Sequence, residues 1–296
     1  MGTGPVIRTP DGKLAIDNST LAAMVCSTQA VLRHVHGLTS PEERATLRSG
    51  SAAHEALATY LTTGDPEKAL ATFGALYDVW GEANLPAEDR LHPSNLRRIL
   101  GAWFGANPLH SLPFKVEAVE IGFTYPLAEP GAPDDDLVFC GRIDAIGTSD
   151  HDRATYIVEW KTTGLISSSW LSDFRMDSQL SGYIWAAQQH IGRPVVGAIL
   201  GAIEFSKLPV SDRKCKEHGV PHAECYPAHL KARFAIIQRT PEELVEWRKT
   251  ALHLARRYRD LSTKYGDLAT LHAVRTQGKF HRACRWCVFQ DFCAVG

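Results

Sequence analysis

The sequence predicts an α/β fold: a mixed central sheet, a helical N-terminal region around it and a cysteine-bearing C-terminal segment. Three observations carry that expectation. The first hundred residues read mainly as helix. Between residues 116 and 162, three segments alternate apolar and polar residues with the period of two that a strand requires. A helical stretch and then an apolar run follow them, so the order is helices, three strands, helix, strand.

The elements follow in chain order. A helix is expected from Pro41 to Leu61, because Ser40-Pro41-Glu42-Glu43 offers a cap with proline at the first helical position. Helical patterns also run from about Pro66 to Trp80 and from about Pro93 to Phe104. Strands are expected over Val116 to Leu127, Leu137 to Gly147 and Thr155 to Thr162. The acidic turn Pro133-Asp134-Asp135-Asp136 separates the first two as a hairpin connection would. A single helix from about Ser169 to His190 comes next, then Val195 to Phe205, an apolar run suited to a buried strand. Ala232 to Gln238 is a further strand, and Pro241 to Tyr265 a helix opened by Thr240-Pro241-Glu242-Glu243. No Pro/Gly/Ser-rich linker is long enough to force a split. Residues 1–296 therefore read as one domain, with a helical region at 1–110, the sheet core at 111–240, and a helix and cysteine tail at 241–296.

Composition narrows the class. A chain of 296 residues, 44% hydrophobic and 22% charged, can bury a sizeable core and has an ordinary globular balance. A net charge of −1 excludes a global basic signature, so nucleic-acid contact would need a local basic patch or metal ions. No apolar run approaches the roughly 18–20 residues that span a bilayer. The opening MGTGPVIRTPDGK lacks a charged-then-apolar leader, and Val6 stands where a myristoylation pattern needs Ser or Thr. A cytoplasmic protein is the expectation, and in that compartment seven cysteines point to metal or catalysis before disulfides. The sequence has no phosphate-binding G-x4-G-K-S/T loop, so the chain is not itself a helicase.

The segment Tyr156-Ile157-Val158-Glu159-Trp160-Lys161 carries the strongest chemistry. Residues two apart on a strand share a face, so Glu159 and Lys161 point one way and Val158 and Trp160 the other. Asp144, in Gly141-Arg142-Ile143-Asp144-Ala145-Ile146, would lie on the neighbouring strand. If the strands pair, two carboxylates and an ammonium converge. That set suits phosphodiester hydrolysis: oxygen ligands hold magnesium or manganese, the metal activates a water, and a lysine orients that water and offsets charge. Alone, the same residues could be a surface salt bridge across a hairpin. Three further features stand beside them: His54 four residues after Gly50, Gln179 and Tyr183 spaced to share a helix face, and Glu120 in the first strand.

The ordered set Gly50…His54, Glu120, Gly141-Arg142-Ile143-Asp144, Glu159-Trp160-Lys161 and Gln179-x3-Tyr183 resembles the RecB-like branch of the PD-(D/E)XK nuclease superfamily, across roughly residues 45 to 190. The resemblance implies a restriction-endonuclease-like core. It implies His54, Asp144 and Glu159 as metal ligands with the Trp160 carbonyl, and Lys161 as the catalytic lysine. It implies Gln179 and Tyr183 as supports of the site and of the entering DNA strand, with Glu120 a further candidate there.

Cys284, Cys287 and Cys293 form C-x2-C-x5-C, and Cys26 stands alone near the N-terminus. Thiolates suit an iron–sulfur cluster or zinc, the latter with Cys26 or His281 as fourth ligand. The layout resembles the iron–sulfur nucleases of the same branch, which include AddB-type recombination nucleases and RecB-like nucleases of CRISPR adaptation. That resemblance implies a 4Fe-4S cluster on Cys26, Cys284, Cys287 and Cys293. Trp286, Phe289 and Phe292 could shield it, and Arg275, Lys279, His281, Arg282 and Arg285 make the segment locally basic, as phosphate contact or a solvated tail would. Cys140 reads as a small buried residue. A second cluster, Cys215, His218, His222 and Cys225 with His229 nearby, is spaced for zinc but could equally be a polar loop.

Two functions of different class, and a third reading as a zinc-stapled structural domain, remain. One is a metal-dependent DNA nuclease, an exonuclease on single strands or free ends, serving repair, recombination, phage or CRISPR-adaptation processing with a helicase or other partner protein. The other is an iron–sulfur DNA-binding or scaffolding subunit without nuclease activity. The presence of Asp144, Glu159 and Lys161 together favours the first.

Overall fold

The computed structural model describes residues 6–39, 41–206, 214–216, 218–221, 230–274, 284 and 287–294. It is an α/β structure with a mixed sheet. The strands are β1 (Leu14–Ile16), β2 (Phe114–Pro126), β3 (Leu137–Ser149), β4 (Thr155–Thr163), β5 (Gly197–Glu204) and β6 (Ala232–Gln238). Their order is β1-β3-β4-β5-β6, with β2 also paired to β3. β2, β4 and β6 lie antiparallel to their neighbours β3, β3 and β5, whereas the β1–β3 and β4–β5 pairs are parallel.

Helices cover both faces. α1 (Asn18–Ala23), α2 (Ser27–Ala30) and a π turn at Val31–Val35 precede α3 (Pro41–Thr63), α4 (Pro66–Asn84) and α5 (Pro93–Ala106). α6 (Ser178–Ile191) lies between β4 and β5, and α7 (Pro241–Lys264), α8 (Leu271–Val274) and α9 (Gln290–Ala294) follow β6. Local chemistry sets the ends. Asp65 accepts from the backbone N–H of Glu67 and Lys68 to start α4, Thr240 and Glu243 form a reciprocal capping box on α7, and Gly192 closes α6 at φ +65°.

Alternation along the strands divides the interior into two apolar layers. Ile157, Ala198, Leu200 and Ala202 pack with α6, α7 and the N-terminal helices. Tyr156, Val158, Trp160, Ile199 and Ile203 pack with α3, α4 and α5. All eight residues of β5 are buried, because both sides of it are covered. In the second layer Trp160 meets Trp103 edge-on at 5.1 Å, a contact worth about 0.5–1.5 kcal/mol beyond burial.

One expectation needs correction, and the acidic turn, which does connect an antiparallel pair, has a further role. The helix expected over 169–190 is broken: a 3-10 turn covers Trp170–Phe174, and α6 starts afresh at Ser178 because Asp177 accepts the Leu180 N–H at 2.8 Å. The acidic turn is also more than a hairpin loop. Asp134 takes Arg256 at 2.6 Å and Arg259 at 2.8 Å, both from α7, so it clamps that helix to the sheet. Among the described residues, no helix is long and apolar enough to cross a membrane.

Candidate active site

The site opens where β3 changes partners. One edge of β3 runs along β2. Its other edge pairs with β1 at residues 137–139 and with β4 at 145–148, which leaves residues 140–144 between the two. Asp144 sits at the end of that gap, next to the last paired residue, Ala145 opposite Val158. Its Oδ2 accepts the Trp160 N–H at 2.8 Å, so a carboxylate takes the place of a ladder carbonyl where the strands part.

Around this opening the structure brings four more side chains together. Lys161 Nζ donates to Glu159 Oε1 at 2.8 Å and to Gln179 Oε1 at 2.6 Å. Gln179 Nε2 donates to the same Glu159 oxygen at 2.8 Å. From α3, His54 Nδ1 donates to Asp144 Oδ1 at 3.0 Å. Glu159 is 2% exposed and Asp144 8%. Glu159 Oε2 is buried without a hydrogen-bond partner, the kind of orphaned oxygen that a bound cation satisfies.

Burial sets the titration of the group. It raises the Glu159 carboxyl to about 7, with the Asp144 charge adding to the rise and Lys161 opposing it. Burial on its own lowers the pKa of His54 and of Lys161. In both the neighbouring carboxylates outweigh it, Asp144 foremost for His54 and Glu159 for Lys161, so both hold their protons more tightly than usual.

Tyr183 stands one turn beyond Gln179 on α6, edge-on to Phe123 at 5.6 Å. Burial, then the Glu159 charge, hold its hydroxyl protonated. Gly141 explains the fit: a Cβ there would lie 2.8 Å from Phe123 and 3.0 Å from Tyr183. Glu120 lies beside the opening in a left-handed backbone conformation, φ +55°, that costs a non-glycine residue about 1–2 kcal/mol. Burial raises its carboxyl to about 7, against the pull of Arg142. Sequence reasoning assigned no role to Arg142, which pairs with it, or to Glu55, which holds Arg142 in turn. Arg142 pairs with Glu120 at 2.6 Å and with Glu55 at 2.8 Å. The signal was available for Arg142, two positions before Asp144 and so on the same strand face; for Glu55 only the structure supplies it.

A model of the PD-(D/E)XK nuclease superfamily matches residues 21–294. The chain belongs to that superfamily. As a superfamily member it has a mixed sheet with flanking helices, consistent with the PD-(D/E)XK core. A solved structure titled "Crystal structure of SSO0001" is similar over 95% of this chain and 86% of that one, at 13% identity and a TM-score of 0.34. No curated protein matches.

The cysteines of this PD-(D/E)XK protein are spread over several elements, with Cys140 in β3 beside the opening. Cys26 immediately precedes α2, and Cys284, Cys287 and Cys293 belong to the C-terminal segment; all four are half-buried. The two regions approach each other. Thr28 Oγ1 donates to the Val274 carbonyl at 2.7 Å across 246 residues, and Tyr258 donates to the His34 carbonyl at 2.8 Å. Phe292 packs against the layer that contains Met24 and Val274. Burial pushes the Cys140 thiol up to about 11. Trp286, His281, Arg275, Lys279, Arg282 and Arg285 lie outside the described residues, as do His222, Cys225 and His229. Among the described residues, no group of three or more His, Cys, Asp or Glu side chains is arranged to hold a metal ion.

Proposed function

We propose that this superfamily member is a metal-dependent deoxyribonuclease that hydrolyses phosphodiester bonds, working as an exonuclease on single strands or free ends. The observation that carries the reading is the cluster of the buried Asp144 and Glu159 with the half-buried Lys161 and Gln179, with His54 on one side and an unpartnered Glu159 oxygen inside it. His54, Asp144, Glu159 and the Trp160 carbonyl would hold magnesium or manganese. When bound, the metal polarises the phosphate and eases deprotonation of a water. Lys161 keeps its charge beside Glu159 and offsets negative charge on the phosphate. Gln179 fixes that ammonium, and Tyr183 and Glu120 shape the wall beside which the strand enters.

A 4Fe-4S cluster on Cys26, Cys284, Cys287 and Cys293 belongs to the same reading. Its support is the resemblance in cysteine layout and the hydrogen bond that draws the Cys26 region toward Val274. A helicase or a recombination or adaptation protein would supply the ends, since the sequence has no nucleotide-binding loop of its own.

The test is anaerobic digestion of end-labelled single- and double-stranded DNA with magnesium or manganese, comparing wild type with Lys161→Ala. Metal-dependent release of short end products by wild type alone is expected. Internal nicking would refute the exonuclease assignment. No cleavage by well-folded wild type would replace the nuclease with a DNA-binding scaffold.

A further inference from the structure

The Arg142 guanidinium stands beside the opening, and the nuclease reading gives it nothing to do. Arg142 lies two positions before Asp144 on β3, so the two residues share a strand face about 6–7 Å apart. Consecutive residues of α3 meet them: His54 donates to Asp144 at 3.0 Å, and Glu55 takes Arg142 at 2.8 Å. Arg142 also pairs with Glu120 at 2.6 Å from β2, yet its side chain stays 52% exposed.

Three observations speak against a purely structural ion pair. The two contacts use Nε and one Nη1 bond, whereas a guanidinium carries five N–H donors in a fixed fork. Nη2 has no partner among the described residues, and it is the nitrogen that would complete a two-pronged contact with an anion. Both Glu120 carboxylate oxygens are buried without an aligned hydrogen bond, so charge alone holds that pair. Finally, Glu120 keeps a strained backbone at φ +55°. An ion pair on so exposed an arginine adds little stability to offset that strain, whereas strain of this kind collects at functional sites. A groove of about 300 Å³ opens at the same place, lined by Glu55, Glu120, Val119 and the small side chains Ala58, Thr59 and Thr62, so a ligand has room to reach the pair.

We propose that Arg142 binds the phosphate next to the scissile one on the DNA strand that enters the site. The proposal rests on the nuclease reading of the Asp144–Glu159 cluster. Without DNA, Glu55 and Glu120 occupy the guanidinium between them. With DNA, the phosphate takes Nη1 and Nη2, Glu120 keeps Nε and aims the fork, and Glu55 gives up its place. The spacing of Arg142 and Asp144 along β3 is close to that of successive phosphates on an extended strand. The metal site therefore holds one phosphate while Arg142 holds its neighbour.

The experiment is fluorescence anisotropy of end-labelled single-stranded DNA with the full-length chain over a salt series. Calcium replaces magnesium, since it takes the same kind of oxygen ligands, and gels confirm that the DNA stays intact. Cleavage rates with magnesium are measured alongside. Arg142→Ala should bind about tenfold more weakly, the loss of one charged hydrogen-bonded contact. Its slope of log K against log salt should shrink by about 0.7, the share of one phosphate on a single strand. KM should rise by about tenfold with kcat within about threefold, since uniform binding is what is lost. Arg142→Lys should keep the wild-type slope with intermediate affinity, because charge survives and the fork does not. Glu55→Gln removes the competing carboxylate and should bind more tightly than wild type. A wild-type slope in Arg142→Ala would overturn the proposal. So would an equal slope change in Arg193→Ala, whose arginine pairs with Glu117 at the far end of α6. Unchanged or weaker binding by Glu55→Gln would also overturn it, leaving Arg142 as a clamp on α3, and this variant decides the matter if Arg142→Ala does not fold. Wild type that neither binds nor cleaves DNA would bring down the nuclease reading itself. Wild type that cleaves, beside an Arg142→Ala with unchanged slope, would bring down this inference alone.

Discussion

Removing the Lys161 ammonium should make stability depend on pH in a way that wild type does not. In the folded protein Glu159 is 2% exposed and takes Lys161 and Gln179 on one oxygen, each at 2.8 Å. Its carboxyl sits at about 7 against an ordinary 4.5. A carboxyl raised on folding is harmless below its unfolded pKa and costs stability as pH climbs to the folded one. In wild type that loss runs from about 4.5 to about 7 and amounts to roughly 3.5 kcal/mol at most, since each pH unit is worth about 1.4 kcal/mol. Lys161 lowers the Glu159 pKa, so Lys161→Ala raises it further and the loss continues above pH 7. The gap between the two proteins should be small at pH 6 and reach about 2–3 kcal/mol by pH 9, within the range for breaking a buried ion pair. Urea unfolding at pH 6, 7, 8 and 9, with no magnesium or manganese added, measures it. A gap that is the same at every pH would refute the electrostatic argument. Wild-type DNA cleavage by the variant would refute the role of Lys161 in catalysis.

Asp144→Asn should lower cleavage by more than about a hundredfold while the protein stays folded, and EDTA should stop the wild type; initial rates on labelled DNA decide both. Gly201→Ala should cost about 1–3 kcal/mol or more in urea unfolding, because the new methyl would collide with the Trp160 ring, which Trp103 and Phe234 hold in place. The Arg256 bond and the Arg259 pair lower the Asp134 pKa below its ordinary 3.8, so its contribution is present above that value and lost as pH falls through the folded pKa. Asp134→Asn should therefore unfold more easily at neutral pH, with the difference closing on acidification below 3.8 in circular-dichroism titrations. Cys26→Ala and Cys287→Ala should both lose iron and brown colour while Cys140→Ala keeps them; full iron in Cys26→Ala alone would remove Cys26 from the ligand set.

Period and capping made most of the fold legible. The alternation around Glu159 and Lys161 is a local property of an extended chain, and so is the apolar run of β5. Lost were features whose cause lies elsewhere in the chain. β1 is three residues long, Leu14-Ala15-Ile16, too short to show a period, and it is a strand only because β3 offers it an edge. The break before α6 was written in Asp177, a good cap, but the apolar pattern on either side of it hid the interruption. At the site, the shared face of Glu159 and Lys161 could be read directly. The Glu55–Arg142–Glu120 chain could not, since its three members sit on α3, β3 and β2 and meet only once those elements pack.

The bonds from Thr28 to Val274, from Tyr258 to the His34 carbonyl and between His36 and the Tyr265 carbonyl bear on how the protein is made. A ribosome releases the first partner of each pair more than two hundred residues before the second. Throughout that interval α1 and α2 have no far side, and Leu21, Met24 and Val31 lack the apolar wall that α7 supplies. Contacts so distant in sequence slow folding and favour a single late closure over stepwise growth. Ribosome-bound chains halted before α7 should thus leave residues 17–36 open to protease, and the emergence of α7 and α8 should protect them.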